Sequence, residues 1–130
     1  MLADTDVLID YLAGTQPIVD NVREYAESDT LQTTAVTCFE LLNGARDGKR
    51  GDRVRALIAA IPVVPLTREA ATRAATVRQR LSRSGLSIGM ADSLIAGIAL
   101  ANNLPLLTRN RKHFENVEGL RLLRPGQSTI

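Results

Sequence analysis

Three acidic residues lie at positions where a parallel α/β fold would bring them together. Asp4 follows the short apolar start of the chain, while Glu40 and Asp92 lie near the starts of two predicted helices. The carboxyl ends of parallel strands and the N-termini of the helices that follow them share one edge of the sheet, and ligands bind at that edge. We therefore expect Asp4, Glu40 and Asp92 to converge on a single site.

Grouped carboxylates repel each other, and the chain has only two lysines, Lys49 and Lys112, to offset that repulsion. A bound divalent cation would offset it more directly. Because the donor atoms are all oxygens and there is no histidine cluster, Mg²⁺ or Mn²⁺ is preferred over zinc. Such an ion lowers the pKa of a water nucleophile and stabilises charge on an attacked phosphate, so the pattern predicts phosphoryl chemistry.

Each acid also has a structural interpretation. Asp4 is a candidate helix cap, since the run Asp-Thr-Asp offers three side chains to the free amides of the next helix. Glu40 fits a capping box in which Thr37 caps the helix and Glu40 reaches back to its amide. Asp92 would gain about 0.3–1 kcal/mol from the helix dipole, which is small beside the cost of burying a carboxylate in an apolar helix. The conjunction of the three acids favours a shared site.

Polar and basic residues near these acids extend the candidate site. The hydroxyls of Thr5 and Thr108 could orient a water, although a cap and a strand end are the simpler interpretations. The only histidine, His113, lies beside Phe114 in a predicted loop, and a catalytic role for it is left open. Basic residues gather near the C-terminus and could contact phosphates, although charge patterning alone favours a solvated surface: Arg109, Arg111, Lys112, Arg121 and Arg124.

Short apolar runs alternate with longer helical patterns, which indicates βαβ units around a parallel sheet. Strands are predicted near Leu2–Ala3, Leu31–Thr34, Ile61–Val64, Leu106–Thr108 and Leu120–Leu122. Helices are predicted over Asp6–Leu12, Pro17–Glu27, Thr37–Ala45, Asp52–Ala60, Arg68–Ser84 and Gly89–Asn102. The last of these helices is apolar on nearly every side and should pack centrally.

Composition narrows the class of protein. The chain has 130 residues, 45% of them hydrophobic, which suits one domain spanning residues 1–130. Cys38 stands alone, so a disulfide framework is excluded and a buried small side chain in a reducing cytoplasm is expected. We expect neither a signal peptide nor a membrane span. Aromatic residues make up only 3%, so stacking of bases on an aromatic platform is not the expected mode of RNA binding.

Four segments, in order and at family-like spacing, resemble the PIN domains of VapC-type toxins from bacterial type II toxin-antitoxin modules. They are LADTDVLID from residue 2, TCFELLNGA from residue 37, ADSLIA from residue 91, and LTRN from residue 107 closing in His113-Phe114. The resemblance implies a three-layer α/β/α sandwich with a parallel central sheet. It also implies an endoribonuclease that depends on Mg²⁺ or Mn²⁺ and inhibits translation by cleaving tRNA or ribosomal RNA.

By that resemblance, Asp4, Glu40 and Asp92 take the places of the family's metal-binding catalytic acids. The family further implies a homodimer and a cognate VapB-type antitoxin, whose C-terminal segment covers the acidic site. Two positions depart from the family pattern. Many members have Ser or Asn where this chain has Asp6, and many have a fourth acid where this chain has Asn110 or His113. Asn110 could ligate through its carbonyl oxygen or hold a metal-bound water, and one or two bound ions are both left open.

Two other classes of protein compete with this interpretation. A haloacid-dehalogenase-like phosphatase would use Asp4-Thr5-Asp6 as nucleophile and acid, but the chain lacks an obvious catalytic lysine before its last acidic motif and a paired-aspartate strand end. A catalytically inactive PIN module would bind a partner only. It would have no evident reason to keep three mutually repelling acids.

Overall fold

Five short strands build the centre of the fold. They are β1 (Leu2–Ala3), β2 (Gln32–Thr34), β3 (Val63–Val64), β4 (Leu106–Leu107) and β5 (Leu122–Leu123). In this computed structural model, which describes residues 1–126, they form one parallel sheet in the order β3-β2-β1-β4-β5. The predicted parallel sheet is confirmed, and the last four residues of the predicted 1–130 domain lie outside the described part.

Seven helices connect the strands of this described part. They are α1 (Thr5–Leu12), α2 (Ile18–Glu27), α3 (Ala35–Ala45), α4 (Lys49–Ala60), α5 (Arg68–Arg83), α6 (Met90–Ala101) and α7 (Arg111–Phe114). No helix within residues 1–126 is long and apolar enough to cross a membrane.

Alternate strand residues face opposite sides of the sheet, and each side has its own core. Leu2 and Leu106 pack in a cluster with apolar residues of α5, α6 and α7. Ala3 and Leu107 pack in a second cluster with residues of α1, α2, α3 and α4. Helices therefore cover both faces of the sheet, and the predicted three-layer α/β/α sandwich is confirmed.

Helix α6 is the central helix that its composition predicts. Residues 95–99 are all buried. A side chain at Gly97 would collide with the backbone oxygen of Ala70 and with Ala74 on α5, so the absence of a Cβ permits the close contact of these two helices.

The order of the strands creates a crevice at one edge of the sheet. The chain builds outward from β1 through β2 to β3, and then crosses to add β4 and β5 on the other side of β1. Adjacent strands whose connections leave in opposite directions form a topological switch point, where parallel α/β proteins bind ligands. Asp4 follows β1 and Thr108 follows β4, so both lie at this crevice.

Several predicted boundaries are wrong by a few residues, and one helix was missed. Helix α4 begins at Lys49 rather than Asp52, after Gly48 adopts a φ of 89°. Strand β5 lies at Leu122–Leu123 rather than Leu120–Leu122. The segment around His113, predicted as a loop, forms the single turn α7, which buries Phe114.

Candidate active site at the switch point

Asp4 occupies the centre of the crevice. It leaves β1 in an extended conformation and is the N-cap of α1, where one carboxylate oxygen, Oδ1, accepts a hydrogen bond of 2.8 Å from the Thr5 N–H. The other, Oδ2, accepts a hydrogen bond of 2.8 Å from the Thr108 hydroxyl across the switch point. The carboxyl group is buried, with 4% of the residue exposed. The predicted helix cap is confirmed, and the same geometry fixes both oxygens at the ligand-binding edge.

The environment of Asp4 opposes its negative charge. Burial is the main cause and raises its pKa to about 7, with further increases from the charges of Asp6 and Asp92. The hydrogen bonds from Thr108 and Thr5 act in the opposite direction, but they do not compensate. A desolvated carboxylate close to two others is an environment that a cation would stabilise.

Glu40 is joined to this centre through Thr5. The Thr5 hydroxyl donates a hydrogen bond of 2.7 Å to Glu40 Oε1, while the N–H of the same residue donates to Asp4. Thr5 therefore orients two of the predicted acids at once. The sequence predicted only that the Thr5 hydroxyl could orient a water, and it did not predict a contact with Glu40.

The predicted capping box at Glu40 is wrong. Helix α3 begins at Ala35, and its cap is Thr34, whose hydroxyl accepts from the Thr37 N–H at 3.0 Å. Thr37 is therefore inside the helix, and its hydroxyl contacts those of Thr34 and Thr5. Glu40 is not a cap, and its carboxylate instead accepts a hydrogen bond from the Thr5 hydroxyl.

Asp92 lies in the first turn of α6 and pairs with His113 on α7. Its Oδ2 lies 3.0 Å from His113 Nδ1. The expectation that Asp92 is buried among apolar neighbours is wrong, because its side chain is 27% exposed and Met90 is 67% exposed. The charge of Asp92 still raises the pKa of Asp4, which places the two carboxyl groups within electrostatic reach.

Asp6, Asp10 and Arg109 form a second group of charges beside Asp4. The Arg109 N–H donates to Asp6 Oδ2 at 3.1 Å, and the Arg109 side chain lies 3.0 Å from Asp10 and 3.7 Å from Asp6. Burial raises the pKa of Asp6, opposed chiefly by the Arg109 N–H, with smaller effects from the Val7 N–H, the Arg109 charge and the Asp4 carboxyl. Sequence reasoning missed Asp10, although its spacing of four residues from Asp6 places both on one face of a helix.

The remaining candidates lie around α7. The Asn110 N–H donates to the Thr108 hydroxyl at 3.0 Å, which couples the start of this turn to Asp4. Arg111 and Lys112 are exposed on the turn itself.

Cys38 is only half-buried, so the expectation of a buried small side chain is wrong.

The donor set fits a hard divalent ion, although the protein alone does not preassemble a complete shell. Within residues 1–126, no three Asp, Glu, His or Cys side chains are already grouped as a metal site. Asp4 and Glu40 offer carboxylate oxygens joined through Thr5, and Asp6 Oδ1 is buried without a hydrogen-bond partner. Oxygen donors with incomplete protein coordination suit Mg²⁺ or Mn²⁺, which retain waters and substrate phosphates as ligands.

These features define a parallel α/β domain with an acidic site at its switch point. The sequence model of the PIN-domain family matches residues 1–120, and the chain belongs to that family. Among curated relatives, ribonuclease VapC10 of Mycobacterium tuberculosis is 36% identical over 121 residues, which cover 93% of this chain and 90% of the relative. The tRNA(fMet)-specific endonuclease VapC of Shigella flexneri is 29% identical over 124 residues, covering 92% and 93% of the two chains.

Solved structures agree on the fold. A chain in the crystal structure of VapBC2 from Rickettsia felis bound to a promoter DNA fragment superposes with a TM-score of 0.82 at 22% identity, covering 95% of this chain and 96% of that one. A chain of the DNA-bound VapBC from Salmonella typhimurium superposes with a TM-score of 0.80 at 25% identity, covering 95% of this chain and 98% of that one. The predicted membership in the PIN family, with VapC ribonucleases as relatives, is confirmed.

Proposed function

We propose that this chain is a Mg²⁺- or Mn²⁺-dependent endoribonuclease, the toxin of a toxin-antitoxin pair, which inhibits translation by cleaving structured RNA in the cytoplasm. The observation that carries the proposal is Asp4, a buried carboxylate at the switch point whose two hydrogen-bond partners are neutral. Its surroundings favour a cation. The names of the VapC relatives support an RNA substrate, and among those relatives tRNA is a named target.

Asp4, Glu40 and Asp92 are the residues that we assign to the catalytic centre. When bound, the ion would supply an activated water and stabilise charge on the attacked phosphate. Thr5 holds Asp4 and Glu40 in fixed orientation, while Thr108 fixes the second oxygen of Asp4. His113 holds Asp92 through one carboxylate oxygen. These neighbours restrict the acids to few conformations, which limits the reorganisation required when substrate binds.

Basic residues of the last motif are placed to receive the RNA backbone. Arg111 and Lys112 are exposed on α7, directly after Asn110, which is joined to Asp4 through Thr108. Arg109 is committed in part to Asp10 and Asp6, but its side chain remains 56% exposed. Arg111 and Lys112 are therefore the stronger candidates for phosphate contacts, and Arg109 has a structural role as well.

An apolar groove beside Glu40 supports an antitoxin partner. It has a volume of about 520 Å³, with apolar side chains such as Ile9, Leu41 and Val54 together with Lys49 and Arg50 in its lining. The similar structures from R. felis and S. typhimurium are VapBC complexes. We propose that an antitoxin segment lies in this groove and directs a basic side chain toward the acids, since a guanidinium pairs well with carboxylates.

Large exposed apolar side chains beside the acids support a homodimer. Phe39 and Met90 are each about two-thirds exposed, and they lie next to or close to Glu40 and Asp92 in the chain. Exposed apolar surface of this kind is typical of interaction faces. We propose that two copies join through this face, and a dimeric mass in sedimentation velocity that becomes monomeric in Met90→Arg would support it.

The test is cleavage of purified tRNA and ribosomal RNA by the purified chain. Wild type should cleave with Mg²⁺ or Mn²⁺, whereas EDTA and the Asp4→Asn variant should abolish cleavage. Equal cleavage in all three samples would reveal a contaminating nuclease. A folded wild type that binds no metal and cleaves no RNA would instead identify an inactive binding module. Expression alone should arrest growth, and the neighbouring antitoxin should restore it.

A further inference from the structure

Asp6 has one carboxylate oxygen that the protein leaves without a partner. The residue is 9% exposed, and Oδ2 accepts the Arg109 N–H, but Oδ1 is buried with no hydrogen-bond donor. A buried anionic oxygen without a donor loses its hydration and receives nothing in return, which is strongly unfavourable. This atom requires an additional partner.

Asp6 has a second carboxyl group beside it, that of Asp4. The two residues stand on either side of Thr5 in the chain, and both are buried. Asp6 is also fixed in place, because its other oxygen is held by the backbone of Arg109 and because the Arg109 side chain lies 3.7 Å away. A buried carboxylate that is fixed beside a second carboxyl can be stabilised by a shared proton or by a cation.

We propose that Asp6 is a metal ligand in this chain and that, beside Asp4, Glu40 and Asp92, it supplies the fourth carboxylate that the last motif lacks. The inference rests on the proposed metal-dependent function. Positions Asn110 and His113 provide no acid, and His113 faces Asp92 instead. Asp6 enters the same site from the first turn of α1, two residues after Asp4, with an oxygen that no hydrogen bond occupies. Carboxylates of this kind are ordinary Mg²⁺ and Mn²⁺ ligands.

Direct binding of Mn²⁺ tests the assignment without recourse to activity. The free ion is counted by electron paramagnetic resonance during titration of wild type, Asp6→Asn and the matched control Asp10→Asn. Asp10 also pairs with Arg109, so the control removes the same charge from the same arginine. Outer-shell changes typically weaken metal binding about 10–100-fold, so loss of a direct ligand should weaken it by about tenfold or more. The control should change it by less than about threefold.

The outcomes separate this inference from the proposed function. Weaker binding in Asp6→Asn, with near-normal binding in Asp10→Asn, supports Asp6 as a ligand. Normal binding in Asp6→Asn, together with RNA cleavage by wild type, overturns this inference alone and leaves a proton shared with Asp4. An equal loss in both variants also overturns it, since the cause would then be net charge. If wild type neither binds Mn²⁺ nor cleaves RNA, both proposals fail. If Asp6→Asn does not fold, the same titration is made with Asp6→Ser, whose hydroxyl can still accept a hydrogen bond from the Arg109 N–H.

Discussion

Replacing Asp4 by Asn should stabilise the metal-free protein at neutral and alkaline pH. Asn is as good an N-cap as Asp, so its carbonyl oxygen can still accept from the Thr5 N–H. The Thr108 hydroxyl can donate or accept, so it can adapt to the amide. The substitution thus removes the buried charge and leaves the local hydrogen bonds in place.

The magnitude follows from the pKa of Asp4, which burial raises from its ordinary value of 3.8 to about 7. Well below its ordinary pKa of 3.8, the carboxyl is protonated in both folded and unfolded protein. As pH rises toward 7, only the unfolded chain ionises easily, so the free energy of unfolding falls by up to 1.36 kcal/mol per pH unit. The charged form should cost about 2–4 kcal/mol above pH 7, with 4 as the upper limit for a shift of about three units.

Thermal unfolding in EDTA between pH 5 and 8.5 measures this effect. Wild type should lose stability from pH 5 to a little above 7 and then level off, whereas Asp4→Asn should lose less and melt at least about 6 °C higher at pH 8, at about 3 °C per kcal/mol for a chain of this size. The raised pKa of Asp6 leaves a residual slope in the variant. Mg²⁺ should raise the melting temperature of wild type at pH 8 but not that of the variant. Parallel curves for the two proteins in EDTA would refute a desolvated carboxylate at position 4.

Three further substitutions test individual contacts. Glu40→Gln should keep the fold, since Thr34 caps α3, but should lower the initial rate of tRNA cleavage at least about tenfold. Full activity would show that Glu40 takes no part in cleavage. Thr5→Val should lower cleavage about 10–100-fold through loss of the hydroxyl that holds Glu40, whereas Thr5→Ser should retain it; similar rates for both would refute the network. Arg111→Ala should weaken RNA binding and reduce the slope of log K against log salt by about 1, as expected for the loss of one phosphate contact. The control Arg73→Ala, on α5, should change neither the affinity nor the slope.

The sequence predicted the elements that carry the site better than the contacts within it. Asp4 could be placed because a strand end followed by a capping Asp has a strong local pattern. The start of α3 could not be predicted, because Thr34 and Thr37 are both acceptable caps. Glu40 follows Thr37 by three residues, which matches the pattern of a capping box. The pairing of β2 with β1 and β3 fixes residues 32–34 as a strand directly before α3, and that pairing is not local.

Contacts between distant segments were the least predictable. The pairing of His113 with Asp92 joins residues 21 apart in the chain, and that of Arg109 with Asp6 joins residues 103 apart. The exposure of Asp92 also depends on tertiary structure, because the apolar side of α6 turns toward α5 and leaves its first turn at the crevice. The family resemblance indicated which acids belong together, and the fold shows which neutral groups hold them.

The dependence of RNA cleavage on free Mn²⁺, compared with Mn²⁺ binding to the same protein, tests directly whether cleavage requires an ion bound at the switch point. Cleavage should be half-maximal where the site is half-occupied, and Asp4→Asn should lose binding and cleavage together. Cleavage that persists in EDTA, or in an Asp4→Asn protein that no longer binds Mn²⁺, would contradict a metal-dependent site at the switch point.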